Sequence, residues 1–319
     1  MSAESADGSR RLRVLCLHGL YQSGPGMEET VNNSSFGQES IKSRFEFVSV
    51  SAPPPVLQML GAGGDYRRWW TSFGGVYYPG QPLIGEPFRD VKVLKQGYGT
   101  EEEIVTGILN EEMDETFKFL KDLIETRGPF DGVLGFSMGG FLTSILVPLQ
   151  LLQQRDGELK KRVEARFNLN RNSADDEISQ RCVERTLQAA LALAPVLDFK
   201  FGVICSGAPN YDVFCRELNL HPQFKSAHEP CSHSTPGTSY APESVPKDLP
   251  KDEMAYPEPF PLLVTADEND FIVPFADTEQ LCGLFANTTF LKVSGHSLPT
   301  LAHECNTQVV DWMKDRSTS

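Results

Sequence analysis

The stretch over residues 132–140, Gly-Val-Leu-Gly-Phe-Ser-Met-Gly-Gly, constrains the fold more than any other part of the chain. A short apolar strand at 133–136 leads into Gly-x-Ser-x-Gly and then into a helical apolar pattern at 141–149. A turn that lifts one side chain above a sheet crowds its neighbours, so glycine is needed beside it. The following helix directs unpaired N–H groups and its positive dipole end at the serine. We therefore predict that Ser137 is an exposed nucleophile and that the Met138 N–H can receive an oxyanion.

Five further apolar runs, each short and nearly continuous, are typical of strands buried on both faces of a parallel sheet. They cover residues 13–17, 45–50, 201–205, 261–266 and 289–293. Apolar residues recur at helical spacing between 101 and 126, which indicates an amphipathic helix packed on the sheet, and a closing helix is expected over 301–313. The alternation predicts an α/β fold with a mostly parallel sheet flanked by helices. We expect one domain over 11–316 behind a disordered tail at 1–10.

Two segments do not fit the alternation and are predicted to be surface insertions. Residues 153–185 are strongly charged, and a partly helical, solvated segment is expected there. Residues 210–259 are polar and proline-rich with no clear period, which predicts a long excursion above the sheet or a partly disordered loop. The spacing of the potential metal ligands in this second insertion matches no zinc signature, so no metal site is predicted. These ligands are His221, His228, Cys231 and His233.

The first strand ends in His18-Gly19-Leu20, and a His-Gly loop after an early strand supplies a second oxyanion donor in folds with this serine turn. Leu20 N–H is the candidate donor, whereas His18 is interpreted as a structural residue. The strand at 261–266 ends at Asp267 and Asp270, and the last strand is followed by His296. A carboxylate at the carboxyl end of a strand lies on the functional edge of such a sheet.

The order Ser137, Asp270, His296 is that of a nucleophile, acid and base arranged on an α/β-hydrolase sheet. Asp270 is favoured over Asp267 because the pattern Asp-x-x-Val-Pro places it after the strand and before the helix that starts near Pro274. Asp267 is interpreted as a turn residue.

A long loop rich in Gly, Pro and aromatic residues occupies 61–99, and such loops often carry function. Trp69, Trp70 and Phe73 are candidates for an acyl pocket, with the excursion at 210–259 shielding its mouth. The alternative is that both tryptophans only pack the edge of the core.

Charge and cysteine content narrow the classes of partner. Lys and Arg number 29 against 43 Asp and Glu, a net charge of −14, which argues against nucleic acid and anionic membrane surfaces. No apolar run is long enough to span a bilayer, and the start of the chain has no signal-peptide pattern. The seven cysteines are an odd number, and Cys16 and Cys205 lie within apolar strands, so no disulfide framework is expected. We expect a cytoplasmic protein.

These motifs together resemble the FSH-type family of serine hydrolases, which includes the ovarian-cancer-associated-gene-2-type esterases. The resemblance runs from about residue 11 to the end of the chain, outside the two insertions. It is carried by Leu-Cys-Leu-His-Gly at 15–19, Gln-Ser-Gly at 22–24, Arg-Trp-Trp at 68–70, Gly-Pro-Phe-Asp-Gly-Val-Leu-Gly-Phe-Ser at 128–137, Ser-Gly at 206–207, Asp-Phe-Ile-Val-Pro at 270–274 and Gly-His at 295–296.

The resemblance implies an α/β-hydrolase fold, no cofactor, and hydrolysis of a small-molecule carboxylic ester or thioester. The chain departs from the usual family pattern by having Met138 after the nucleophile, Gly140, and Asp267 in place of a glycine three residues before the acid. An esterase is the favoured interpretation. An acyl-thioesterase with the same three residues and a non-catalytic ligand-binding protein on the same fold are the alternatives.

Overall fold

The structure, a computed structural model, describes residues 10–53, 65, 67–70, 101–170, 177–208, 215, 218–220, 255–270, 272–273 and 275–318. For residues 101–112, 168–170 and 177–183 it describes the backbone alone. Outside this part lie residues 1–9 of the tail predicted over 1–10, the pocket candidate Phe73, and most of the excursion at 210–259 with its three histidines and Cys231.

Six strands in the described part of the chain form one parallel sheet in the order β2-β1-β3-β4-β5-β6. Their bounds are β1 Leu12–Leu17, β2 Phe45–Val50, β3 Gly132–Phe136, β4 Phe201–Cys205, β5 Leu262–Ala266 and β6 Thr288–Lys292. Each lies within one residue of its predicted position. The predicted α/β-hydrolase fold with a parallel sheet flanked by helices is confirmed.

Eight helices are present in the same described ranges. They are α1 Gly24–Asn32, α2 Glu39–Lys42, α3 Glu101–Arg127, α4 Met138–Gln154, α5 Glu158–Asn170, α6 Glu177–Leu193, α7 Phe275–Gln280 and α8 Asn306–Arg316. None of the described helices is both long and apolar enough to cross a membrane.

Alternate residues of each strand point into two separate hydrophobic cores, one on each face of the sheet. Leu15, Val133 and Val264 belong to the larger core, which is covered by α3, α4 and α6. Val14 and Leu134 belong to the smaller core, which is covered by α1 and α8. Because both faces are buried, the strands need continuous rather than alternating apolar sequence, as observed.

The first predicted insertion, 153–185, is helical in α5 and in the start of α6, but it is not only a surface segment. Leu159 and Val163 are fully buried in the larger core, and α6 packs along α3. The two side chains are four residues apart and therefore share one face of α5, which the charged residues around them obscure in the sequence.

The second predicted insertion, 210–259, is anchored at its described ends. The Tyr256 hydroxyl donates to the Leu220 carbonyl oxygen over 2.6 Å, and Arg155 donates to the carbonyl of the residue before Tyr256 over 2.9 Å. Arg155 directly follows α4, whose 17 residues span about 25 Å from Ser137. Both anchors therefore lie at the end of α4 that is remote from Ser137. Shielding of the site by the excursion stays a prediction.

The closing helix α8 begins at Asn306 rather than at residue 301. His303 Nδ1 accepts a hydrogen bond from Cys305 N–H over 3.2 Å, so a side chain takes a backbone donor that a helix would use. Residues 301–305 consequently form turns, and Leu301 is left exposed.

Asp131 connects the start of the chain to the strand that precedes Ser137. Its carboxylate forms two hydrogen bonds with the Arg10 guanidinium, at 2.7 and 2.8 Å, and accepts the Arg13 N–H over 2.8 Å. Arg10, the last residue of the predicted tail, is thus held in place. The Asp131 side chain is only 11% exposed, so these bonds are poorly replaced by water.

We expect Asp131→Ala to lower the free energy of unfolding by about 1–3 kcal/mol, because it leaves the partly buried Arg13 N–H without its acceptor. Urea unfolding monitored by circular dichroism measures the change. Asp198→Ala is the matched control, since Asp198 is 70% exposed and pairs with the exposed Lys200. Equal stability of the two variants would contradict the anchoring role of Asp131.

Candidate active site

Ser137 lies at the junction of β3 and α4 in a backbone conformation that L-residues rarely adopt. Its φ is 51° and its ψ is −116°. Hydrogen bonds on both sides hold it there: Ser137 N–H donates to Cys205 O over 2.9 Å, and Phe141 N–H donates to Ser137 O over 3.0 Å. Strain of this kind persists only where the surroundings impose it, and it is concentrated at functional sites. The predicted serine turn is therefore formed.

The two glycines of Gly-x-Ser-x-Gly allow backbones to approach too closely for any side chain. A Cβ on Gly135 would lie 2.1 Å from the Gly139 carbonyl oxygen. A Cβ on Gly139 would lie 2.1 Å from the Leu17 carbonyl oxygen. Both distances are far inside van der Waals contact, so a larger residue at either position would push α4 away from the sheet and displace Ser137.

The loop after β1 packs directly against Ser137. A Cβ on Gly19 would lie 3.1 Å from Ser137 Cβ. Gln22 closes the loop, because its side-chain oxygen accepts the Gly19 N–H over 3.0 Å. The N–H groups of Leu20 and Met138, the two predicted oxyanion donors, have no acceptor among the described residues.

His18 is a structural residue of this loop, as interpreted from the sequence. Its Nδ1–H donates to the Gly19 carbonyl oxygen over 2.7 Å, and its Nε2 accepts the Ala52 N–H over 3.0 Å. The side chain is fully buried, and burial lowers the pKa of His18 to about 4. The imidazole is therefore neutral at pH 7, with both nitrogens already used.

The two tryptophans support the loop rather than line an open pocket. Trp69 is 1% exposed and Trp70 is 5% exposed, and both belong to the larger core. The Trp69 Nε1–H donates to the His18 carbonyl oxygen over 2.9 Å, and its ring lies 4.9 Å from the His18 ring. Both rings therefore pack within the core in this structure, as the alternative interpretation expects. A role of the two tryptophans in an acyl pocket stays a prediction.

Asp270 and His296 form a close pair at the carboxyl edge of the sheet. His296 Nδ1 lies 2.7 Å from Asp270 Oδ2, and the carboxyl is completely buried. Asp270 Oδ1 accepts the N–H groups of Ile272 and Val273 over 2.8 and 3.0 Å. With Nδ1–H held by the carboxylate, the tautomer leaves His296 Nε2 free to accept a proton.

His296 also lies beside Phe136, the residue that precedes Ser137. The ring centroids of Phe136 and His296 are 5.2 Å apart. Ser137 and His296, both described, form no hydrogen bond with each other in this structure. Such bonds are frequently long without substrate and tighten when it binds.

Asp267 lies in the turn after β5. One carboxylate oxygen accepts the Asn269 N–H over 3.0 Å and the other accepts the Gly295 N–H over 2.5 Å. These backbone hydrogen bonds hold the pKa of the Asp267 carboxyl below its usual value. The structure thus places Asp270, not Asp267, against His296. The link from Asp267 to Gly295 was not anticipated from the sequence.

Other groups that could react or bind a metal are less suitable. Five cysteines in the described part carry free thiols. Burial raises the pKa of Cys205 and of Cys282 to about 12, so these thiols stay protonated and unreactive at pH 7. Over the described ranges, no three His, Cys, Asp or Glu side chains are grouped so that they could hold a metal ion.

A family model described as "Serine hydrolase (FSH1)" matches residues 8–308. The chain belongs to this family of serine hydrolases. It is similar to two curated relatives named "Esterase OVCA2", from Danio rerio (32% identity over 142 residues) and Homo sapiens (30% over 140 residues). Each match covers 44% of this chain and 56% of the relative, so the chain spans little more than half the length of these proteins.

The solved structures to which the chain is similar include those of two plant proteins. Arabidopsis thaliana SOBER1 has a TM-score of 0.46 at 15% identity over 96% of this chain and 99% of that chain. Zea mays acyl-protein thioesterase 2 has a TM-score of 0.48 at 15% identity over 99% of this chain and 98% of that chain.

Because His18 is buried, we expect the stability of this FSH1-family protein to decrease at acidic pH. Its folded-state pKa of about 4 is below the ordinary 6.5, so the unfolded chain binds the extra proton first. The stabilising contribution is complete above pH 6.5 and is lost as the pH falls towards 4, by up to about 3 kcal/mol. Urea unfolding at several pH values should show a steeper decline for the wild type than for His18→Gln. Parallel curves for the two proteins would contradict it.

Proposed function

We propose that this protein is a serine hydrolase that cleaves small-molecule carboxylic esters through Ser137, His296 and Asp270. The observation that carries the proposal is the 2.7 Å pair of His296 with the buried Asp270 carboxyl, next to a strained serine turn. A serine turn alone has many structural explanations. A histidine that lies next to such a turn, and whose tautomer is fixed by a carboxylate, serves mainly in proton transfer.

In the first step His296 Nε2 removes the Ser137 proton as Oγ attacks the carbonyl carbon of the ester. The negative charge that develops on the carbonyl oxygen is received by the Leu20 and Met138 N–H groups, which have no other acceptor among the described residues. The packing of Gly19 against Ser137 supports this arrangement, because Leu20 follows Gly19 directly. Asp270 holds the imidazole in orientation and stabilises the imidazolium.

In the second step the imidazolium gives its proton to the departing alkoxide, and an acyl-enzyme remains on Ser137. Water then attacks this acyl group while His296 accepts the water proton, and collapse of the intermediate returns the proton to Ser137 Oγ. All the required groups belong to the protein. No cofactor or metal enters the proposed mechanism.

A thioester could be cleaved by the same three residues, because only the leaving group differs. The esterase is preferred because the curated relatives carry that name. Matched oxyester and thioester substrates with the same acyl chain separate the two activities, since the ratio of their kcat/KM values reports the preference.

We expect a fluorophosphonate probe to label the wild-type protein at Ser137 and to leave Ser137→Ala unlabelled. Mass spectrometry of the modified peptide identifies the site. Ser206→Ala is a useful control, since Ser206 is another buried serine with positive φ, at 47°, after the adjacent strand β4. Labelling that persists in Ser137→Ala would overturn the assignment of the nucleophile.

We expect Asp270→Asn to lower kcat by several orders of magnitude, near the 10⁴-fold loss typical of such an acid, because asparagine holds the wrong imidazole tautomer. Steady-state hydrolysis of a chromogenic ester measures it. Glu268→Gln, in the same turn and exposed, should retain wild-type turnover. Near-full activity in Asp270→Asn would show that another group orients His296.

A further inference from the structure

The two loops that carry Asp270 and His296 leave the sheet from neighbouring strands. Among the described residues, the last backbone hydrogen bond between them joins Val293 N–H to Ala266 O over 2.9 Å. The next link is made by a side chain, because Asp267 Oδ2 accepts the Gly295 N–H over 2.5 Å.

Asp267 is therefore hydrogen-bonded to the backbone of Asp270 and to the backbone of the residue before His296. Its carbonyl oxygen accepts the Asp270 N–H over 3.1 Å. Its carboxylate holds Gly295, the residue before His296. One residue thus fixes the backbone at the acid through its main chain and the backbone at the base through its side chain.

The backbone before His296 needs such a link. Gly295 has a φ of 79°, a region in which glycine is free to move because it lacks a Cβ. A Cβ on Gly295 would meet no atom of the described residues within 4 Å, so no described side chain packs against this position. A hydrogen bond from a backbone N–H to a carboxylate is about twice as strong as one between neutral groups.

We propose that Asp267 is a positioning residue, whose carboxylate tethers the Gly295 backbone and so keeps His296 in register with Asp270. The role rests on the proposed function only where the readout is a rate of hydrolysis. It differs from the turn role expected of Asp267, for which the bond to Asn269 N–H alone would suffice.

Glu268 provides a matched comparison in the same turn. Its carboxylate pairs with Lys292 on β6, so it also connects the β5 exit to the neighbouring strand. Both side chains of that pair are more than half exposed, and such pairs contribute little. Glu268 does not touch the backbone before His296, so its removal tests charge and turn composition without removing the tether.

The test compares the wild type, Asp267→Asn and Glu268→Gln. Asparagine keeps the size of the side chain but has one acceptor oxygen, so it cannot accept both N–H groups. Four quantities are measured: kcat and KM on a chromogenic ester, the melting temperature, and the low-field proton resonance of the His296 Nδ1–H. The resonance reports the pair with Asp270 without any need for turnover.

For Asp267→Asn we expect kcat to fall between about 10- and 100-fold with KM unchanged, as for a small misplacement of a reacting group. The Nδ1–H resonance should broaden or disappear, while Glu268→Gln retains the wild-type values of all four quantities. The proposal is overturned if Asp267→Asn keeps a sharp resonance and the kcat of Glu268→Gln. It is also overturned if kcat falls only in step with the melting temperature while the resonance persists.

The outcome separates this proposal from the proposed function. A wild type that hydrolyses no ester but whose resonance is lost in Asp267→Asn would refute the hydrolase and support the tether. If the wild type hydrolyses the ester and the Asp267→Asn variant matches the Glu268→Gln control, the hydrolase is supported and the tether is refuted.

Discussion

The strained conformation of Ser137 is the constraint on which the rest of the site depends. A φ of 51° at a serine requires that its neighbours permit no alternative. The contacts that enforce it are between backbones: Gly135 with Gly139, Gly139 with the Leu17 carbonyl, and Ser137 N–H with the Cys205 carbonyl. Three parallel strands, β1, β3 and β4, therefore meet at Ser137. The position of Ser137 is a property of the central sheet and not of one loop.

The loops around Ser137 are held by hydrogen bonds between side chains and backbone. His18 joins its own loop to Ala52, Trp69 donates to the His18 carbonyl, and Asp270 receives two N–H groups of the segment that follows it. Each bond uses a buried or partly buried polar group that would otherwise be left without water. The same bonds that stabilise the loops leave the Leu20 and Met138 N–H groups and His296 Nε2 available, which suits a site that must handle transient charge.

The tryptophans and the acidic turn show how residue type alone can mislead. Two adjacent tryptophans near a serine turn suggest an apolar pocket, yet in the structure both pack within the core. The Trp69 Nε1–H also donates to the His18 carbonyl oxygen. Two aspartates three residues apart both suit the role of the acid, yet one contacts the imidazole and the other contacts the backbone before it. In each case the distinction lies in what surrounds the side chain.

The sequence by itself determined the strands, the serine turn and the chain order of the three residues proposed for catalysis, because these depend on local patterns of apolar residues and glycines. Strands with continuous apolar sequence bury both of their faces, as they do here between two layers of helices. The glycines beside the serine allow the sharp turn that other residues would block. Tertiary structure decided the rest. The depth of Trp69, the burial of Leu159 and Val163 within a charged segment, the start of α8 and the bond from Asp267 to Gly295 all depend on groups distant in sequence. A backbone N–H is common to nearly every residue, so no residue pattern reveals which carboxylate it will meet.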